Sequence, residues 1–178
     1  MNNIRIATSI KYGNYKSELS RSKELANRIK QYWSTLVEHI GLEESMLQNF
    51  EILIRPIKAE TVNGRYFHEG VHVEPGKPSR IELDPRYDSF KHLMGVLAHE
   101  FQHLKQYCTG KITHERENVT GKWLSYWKGN KQSSGSTWNT YRSQPWEVEA
   151  RQVQESFEVK YITARMKDPD TSLNKIKI

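Results

Sequence analysis

The sequence contains a single cysteine, Cys108, so no internal disulfide can form and a disulfide-stabilised secreted fold is excluded. It also lacks long apolar runs, and no segment approaches the roughly 20 apolar residues that span a bilayer. Its first residues lack the basic and then apolar pattern of a cleaved signal peptide. We therefore expect a cytoplasmic protein that does not enter a membrane, with secretion by a non-classical route left open.

Dense clusters of basic residues are absent as well, although the formal net charge is +6 and the sequence pI is near 9.3. Lysine and arginine are spread along the chain with acidic residues between them, and no nucleic-acid-binding motif accompanies them. These features favour a solvated basic surface over a nucleic-acid interface. With 36% hydrophobic and 11% aromatic residues, a chain of 178 residues is large enough for one domain with a substantial core.

Helical and strand patterns occur in separate blocks, which predicts an α+β fold in a single domain over residues 1–178. The expected order is a loose or strand-like leader (1–17), an N-terminal helical region (18–49), a small sheet (50–85), a helix (88–109) and a last helix (143–167). The connections within the sheet look too short for helical crossovers, so we expect mixed or antiparallel strands.

More detailed patterns are present in the helical region, in the sheet and in the segment before the last helix. The helical region should hold one amphipathic helix, over residues 18–40, followed by a short helical turn at 43–48. In the sheet, strands are expected at 50–57, 65–68, 71–73 and 79–84. Residues 119–128 are expected to form a short helix, and residues 129–137 a loop.

The most informative stretch is His99-Glu100-Phe101-Gln102-His103, within the helix expected at 88–109. Two histidines four residues apart lie one turn apart on the same helical face, where both imidazoles can bind one metal ion. Glu100 projects about 100° around the helix from His99, so its carboxylate can reach a water on that ion without being a ligand. This spacing on a helix is the pattern of zinc peptidases.

The residues around the motif favour such a helix. Apolar residues recur at the helical period and form a stripe opposite the two histidines: Phe90, Leu93, Met94, Leu97, Phe101, Leu104 and Cys108. Asp88 or Ser89 is a candidate N-cap, and Gly110 is a C-terminal stop. The small residues Gly95 and Ala98 would let another backbone approach the helix. We therefore expect the histidines to point away from the core, into a cleft.

A catalytic zinc ion usually has three protein ligands and one position open to water. The candidates for the third ligand are His68, His72, His92, His114, Glu115, Glu117, Glu147 and Glu149. A further histidine six residues after His103 is missing, because that position is Thr109. Glu147 is favoured because it stands in the first turn of the helix expected at 143–167, and helices hold ligand carboxylates firmly.

His99-Glu-x-x-His103 followed by Glu147-Val148-Glu149-Ala150 resembles the gluzincin branch of the zincin metallopeptidases, in particular its minimal members and the relatives that cleave repressors. The resemblance covers residues 80–155 and implies a zincin-like fold. It implies one catalytic Zn²⁺ bound by His99, His103 and Glu147, with Glu100 as the general base. The chain departs from the pattern at Arg151, where many relatives have an acid or amide that supports a ligand histidine. We expect Glu149 or another acid to do this here.

The resemblance implies hydrolysis of a peptide bond by a metal-activated water, and therefore a protein or peptide substrate. The oxyanion that forms needs a hydrogen-bond donor besides the metal. The candidates are Tyr141, Tyr107 and His114, and His92, two turns before His99, is a candidate for lining the cleft. An extended peptide could add to a strand edge at 66–73 or 81–83.

Two other functions are compatible with the same residues. One is a zincin associated with nucleic acid, for which the basic composition is the only support. The other is a non-catalytic regulatory or interaction domain in which the metal site is a remnant. If the protein is a peptidase, we expect bound zinc and an activity that depends on Glu100. If it is a zincin associated with nucleic acid, we expect salt-sensitive DNA binding.

Overall fold

The computed structural model describes residues 5–8, 15–47, 50–54, 79–85, 89–132 and 137–166. These residues form a mixture of helices and strands, in agreement with the predicted α+β class. In chain order the elements are β1 (Arg5–Thr8), α1 (Tyr15–Gln31), α2 (Trp33–Ile40), a 3-10 turn (Glu44–Leu47), β2 (Phe50–Ile54), β3 (Ser79–Leu83), α3 (Phe90–Cys108), β4 (Ile112–Arg116), β5 (Trp123–Trp127), β6 (Asn130–Gln132), α4 (Trp138–Arg142) and α5 (Pro145–Met166).

The first sheet has the order β1-β2-β3, and both of its strand pairs are parallel. The prediction of mixed or antiparallel strands is therefore wrong for these three strands, whose described pairs are all parallel. A parallel pair needs a long connection, and α1 and α2 together supply one between β1 and β2. Residues 55–78 lie between β2 and β3, and the strands predicted at 65–68 and 71–73 fall outside the described residues.

The second sheet is an antiparallel meander, β4-β5-β6, that follows α3 directly. The short helix predicted at 119–128 is wrong, because Trp123–Trp127 forms the central strand β5. Its aromatic residues favour a strand, and Gly121 and Gly129 adopt left-handed conformations in the turns on either side. The predicted loop at 129–137 includes the edge strand β6.

The helix predicted at 18–40 is divided in two at Tyr32, which has a non-helical backbone conformation. The Tyr32 ring packs edge-on against Tyr161 of α5, at a centroid distance of 4.9 Å. Gly41 ends α2 in the left-handed conformation, as expected for a C-terminal glycine, and its N–H donates to Val37 O. The predicted turn at 43–48 corresponds to the 3-10 turn.

The core lies around α3, which packs between the parallel sheet, α2 and α5. The Phe101 ring contacts Phe50 of β2 and Trp33 of α2, with centroid distances of 4.8 and 5.5 Å. The predicted apolar stripe is largely buried, but its last member, Cys108, is exposed. Cys108 is the last residue of α3. None of the described helices is both long enough and apolar enough to cross a membrane.

At Gly95, where the sequence predicts the approach of another backbone, it is the Glu158 side chain of α5 that lies against α3. A Cβ atom at this position would lie 2.9 Å from Cδ of Glu158, closer than non-bonded carbon atoms can approach. Glu158 is itself held by His92 and Lys91, at 3.2 and 3.4 Å, so it cannot move away without losing these contacts.

We therefore expect Gly95→Val to lower the free energy of unfolding by about 2 kcal/mol through overpacking. Equilibrium unfolding in urea measures this change. Gln152→Val on the exposed side of α5 is the matched control, since it adds the same β-branched residue to a helix without a clash. If the free energy of unfolding fell equally in the two variants, the close contact at Gly95 would not be what stabilises the packing of α5 on α3.

Candidate metal centre

Helix α3 presents the two histidines of the motif on one face. The Ser89 side chain caps the helix by accepting a hydrogen bond from the His92 N–H, as predicted. The Nε2 atoms of His99 and His103 lie 3.1 Å apart, and their rings are nearly perpendicular. His103 is only 4% exposed. Both imidazoles therefore direct the same nitrogen toward one point.

Helix α5 brings Glu147 to that point. Pro145 begins the helix, and the buried side chains of Ala150, Phe157 and Tyr161 hold it against the core. The Glu147 carboxylate is almost completely buried, with Oε1 3.2 Å from His103 Nε2 and Oε2 3.4 Å from His99 Nε2. The structure thus brings together the three residues that the sequence analysis favoured as metal ligands.

The spacing of these three residues fits a metal ion of tetrahedral preference. Ligand bonds of about 2.0–2.1 Å in a tetrahedron separate the ligand atoms by roughly 3.3–3.4 Å. The Nε2 atoms of His99 and His103 lie 3.1 Å apart, and each faces a different oxygen of Glu147: Oε1 is 3.2 Å from His103, and Oε2 is 3.4 Å from His99. Two neutral imidazole nitrogens and a carboxylate oxygen can all present electron pairs, and only shared protons or a cation hold such atoms this close together.

Electrostatics at the cluster favour an ionised Glu147. Burial alone would raise its pKa, but the hydrogen bonds that His103 and His99 donate in their protonated forms hold the pKa of Glu147 far below its usual value. Burial likewise opposes a charge on His103, yet the hydrogen bond to Glu147 and the charge of Glu100 leave the pKa of His103 raised. When the imidazoles are neutral, the ionised Glu147 leaves a buried negative charge that attracts a cation.

Glu100 lies beside this cluster without belonging to it. Its side chain is 3% exposed, and its charge acts on both His103 and Tyr141. Its carboxylate is not among the three groups that converge within ligand distance. This is the arrangement that the sequence spacing predicts for a base that stands next to a metal ion without binding it.

Two tyrosines of the sequence analysis also lie near Glu147. The Tyr141 hydroxyl hydrogen-bonds to Glu147, while its ring remains 36% exposed. Burial of the hydroxyl and the charge of Glu147 raise the pKa of Tyr141 far above its usual value. Burial and the same charge raise the pKa of Tyr107 to about 12. Both hydroxyls therefore keep their protons at neutral pH.

The other candidates have different partners. Tyr107 Oη is 2.7 Å from His114 Nε2, and His114 Nδ1 is 2.9 Å from Ser125 Oγ, so His114 bonds to Tyr107 and Ser125 and is not one of the three converging residues. His92 pairs with Glu158 and does not join the metal cluster. Two further third-ligand candidates, Glu115 and Glu117, belong to the second sheet and its turn and are not brought to the cluster. The candidates His68 and His72 lie outside the described residues.

Two glutamines of α3 complete the site and were missed from the sequence. Gln106 Oε1 lies 2.8 Å from His103 Nδ1, and Gln106 Nε2 donates to Glu149 at 2.7 Å. Gln102 Nε2 donates to the same Glu149 oxygen at 2.9 Å. Both glutamines share the histidine face at helical spacing, and a buried polar row on an otherwise apolar helix is the signal that could have identified them.

Glu149 was a candidate both for the third ligand and for the acid that supports a ligand histidine. It is not among the three converging residues, and it accepts hydrogen bonds from Gln102 and Gln106, which fits the supporting role. Partial burial would raise its pKa, but the hydrogen bonds from Lys111, Gln106 and Gln102 lower the pKa of Glu149. Arg151, at the position where gluzincins often have a supporting acid, donates instead to the Arg142 carbonyl. The support thus comes from a position two residues earlier on α5.

No family model, curated protein or solved structure matches this chain. The likeness to gluzincins therefore depends on the two motifs and on the convergence of His99, His103 and Glu147.

Proposed function

We propose that the protein is a zinc-dependent endopeptidase of the gluzincin type with a zincin-like fold. The convergence of His99, His103 and Glu147 carries the proposal, because two imidazoles and one carboxylate form a common ligand set of catalytic zinc. Peptide hydrolysis also needs a general base and a hydrogen-bond donor for the oxyanion. The buried Glu100 beside the ligand set supplies the base, and the Tyr141 hydroxyl, which hydrogen-bonds to Glu147, supplies the donor.

A zinc ion held by these ligands would lower the pKa of a water molecule to about 7 and polarise a peptide carbonyl. Glu100 accepts the proton of the attacking water on its carboxylate and later delivers it to the leaving amine. Its burial keeps the carboxylate close to the ligand set and screens it from bulk water. The substrate is accordingly a peptide or protein whose scissile bond can enter the cleft beside α3.

Tyr141 is the better placed of the two tyrosines to stabilise the oxyanion. Its hydroxyl is protonated and reaches Glu147, whereas the Tyr107 hydroxyl is already bonded to His114. The Tyr141 ring is also partly exposed, which places it at the boundary between the ligand set and solvent. A donor in this position can turn from Glu147 to a substrate oxygen during the reaction.

Tyr141→Phe is therefore expected to lower kcat by about 100-fold without changing zinc content. Steady-state peptide hydrolysis and metal analysis of the same preparation measure the two quantities. Tyr126→Phe removes a hydroxyl from strand β5 and should leave both values at wild-type levels. An unchanged kcat in Tyr141→Phe would remove this residue from the mechanism, and a loss of zinc would reveal a role in holding the ligands.

The proposal as a whole is tested by purifying the protein without chelator and measuring its metal content and its hydrolysis of a library of unstructured peptides. We expect one zinc per chain, and cleavage that a chelator abolishes and added zinc restores. A zinc-free protein that cleaves no peptide contradicts the proposal and favours the interaction-domain alternative. Salt-sensitive DNA binding by a zinc-loaded protein without peptidase activity would favour the nucleic-acid alternative.

A further inference from the structure

The Gln106 amide determines where His103 carries its proton. Gln106 is completely buried, and its Oε1 atom lies 2.8 Å from His103 Nδ1. An amide oxygen only accepts hydrogen bonds, so the Nδ1 atom of His103 must be the donor. In neutral imidazole one ring nitrogen then carries the hydrogen and the other has a free electron pair. That free pair is on Nε2, which faces Glu147.

The amide is held in this orientation by two acceptors on its other side. Gln106 Nε2 donates to Glu149 Oε2 at 2.7 Å and to the Trp146 carbonyl oxygen at 3.1 Å. Rotating the amide by half a turn would place its oxygen against these two acceptors and its NH₂ group against the His103 Nδ1–H. The contacts with the Glu149 and Trp146 oxygens would then be repulsive whichever tautomer His103 adopts, so these two acceptors hold the amide in the observed orientation.

Glu149 is in turn fixed by donors from three positions. Its Oε2 accepts from Gln102 and Gln106, and its Oε1 accepts from Lys111 Nζ at 2.8 Å. Lys111 follows Gly110, whose left-handed conformation turns the chain out of α3 and toward β4. The network therefore connects α3, α5 and the start of β4, and it exists only when these elements are packed together.

We propose that Gln106, oriented by Glu149, is the positioning residue that holds His103 in the tautomer able to bind metal. The inference rests on the proposed zinc site, since it assigns a role toward that site to residues outside the ligand set. A hydrogen bond to the second nitrogen of a ligand histidine fixes its tautomer and ring orientation, and such partners commonly change metal affinity 10- to 100-fold.

His99 provides an internal comparison. Within the part of the chain that the structure describes, its Nδ1 atom is buried without a hydrogen-bond partner. The network thus fixes one of the two histidines and leaves the other without this constraint. We expect the metal-free protein to show a single tautomer for His103, with hydrogen on Nδ1, and no such preference imposed on His99.

Zinc affinity tests the proposal through Gln106→Met, which keeps the length of the side chain and removes its polar atoms. Competition with a chromophoric chelator should show zinc binding weakened about 10- to 100-fold relative to the wild type. Gln152→Met is the matched control: it makes the same substitution at an exposed position of α5 that lies outside this network. We expect it to change zinc affinity less than about threefold. Equal effects in the two variants would overturn the inference.

Ring ¹⁵N spectra of metal-free protein, recorded at a pH where the imidazoles are neutral, give a readout that a purely structural role would not move. In the wild type we expect His103 to be protonated at Nδ1, and in Gln106→Met to show both tautomers. A wild-type His103 protonated at Nε2 overturns the inference even if the variant fails to fold. If the wild type binds no zinc, the proposed function fails, while the tautomer still decides the inference.

Discussion

Glu100→Gln is expected to lower kcat/KM for peptide hydrolysis about 10³- to 10⁴-fold while leaving one zinc ion bound. The amide has nearly the size of the carboxylate but cannot accept a proton, and proton transfer by a positioned base accounts for rate factors of this order. Glu100 is buried next to the ligand set without joining it, so the substitution leaves the three ligand atoms in place.

The comparison variant for Glu100→Gln is Glu44→Gln, which makes the same chemical change at an exposed position of the 3-10 turn. Its activity and zinc content should equal those of the wild type. Zinc retention in Glu100→Gln shows that the loss is chemical. If activity persisted in that variant within a factor of ten, Glu100 would not be the base, and a different residue would have to accept the proton.

The part of the site that sequence could predict is the part that depends on local geometry. The spacing of His99 and His103 defines their common face in any α-helix, whatever packs around it. The choice of Glu147 depended on the helix expected at 143–167 and on the Glu147-x-x-Ala150 register of the resemblance to gluzincins. Such features depend on helical period, which the chain expresses over a few turns.

The supporting network was not predictable in the same way, because it depends on contacts between distant elements. Gln106 and Glu149 meet only after α5 has packed on α3, and Lys111 joins them only after the turn at Gly110. Glutamine is also a common surface residue, so the position of the two glutamines on the histidine face did not by itself reveal which groups they would contact. The acid was expected to support a histidine directly, but it acts through the amide of Gln106.

The fold, like the site, has features that local sequence predicts and features that depend on contacts between distant elements. The helices α3 and α5 lie within two residues of their predicted bounds because each has a strong period and a clear end. The direction of β2 and β3 was wrong because strand direction depends on how long connections run, and a strand's own residues do not encode it. Trp123–Trp127 was misassigned because a short aromatic run fits either a helix or a strand, and its pairing with β4 decides between them.

Glu147→Ala is expected to abolish stoichiometric zinc binding, with a loss of affinity well beyond the 10- to 100-fold that supporting residues contribute. Two histidines of one helix remain, but the third ligand atom and the only negative charge in the set are gone. Glu149→Ala removes a carboxylate two residues away that is bonded to Gln102, Gln106 and Lys111, so its loss should stay within the 10- to 100-fold range. Metal analysis and chelator competition on both variants measure this difference.

The exposed Glu155→Ala on the same helix is the baseline, with wild-type zinc affinity expected. Far-UV circular dichroism and thermal unfolding of the metal-free proteins distinguish the loss of a ligand from unfolding of the protein. We expect Glu147→Ala to fold, because Glu147 lies in the first turn of α5 and the buried Ala150, Phe157 and Tyr161 hold the rest of that helix in place. The decisive result is the order of the three losses. If removal of the carboxylate of Glu149 cost more zinc affinity than removal of the carboxylate of Glu147, the ligand and its support would have to be exchanged, and the zinc site would have to be rebuilt around Glu149.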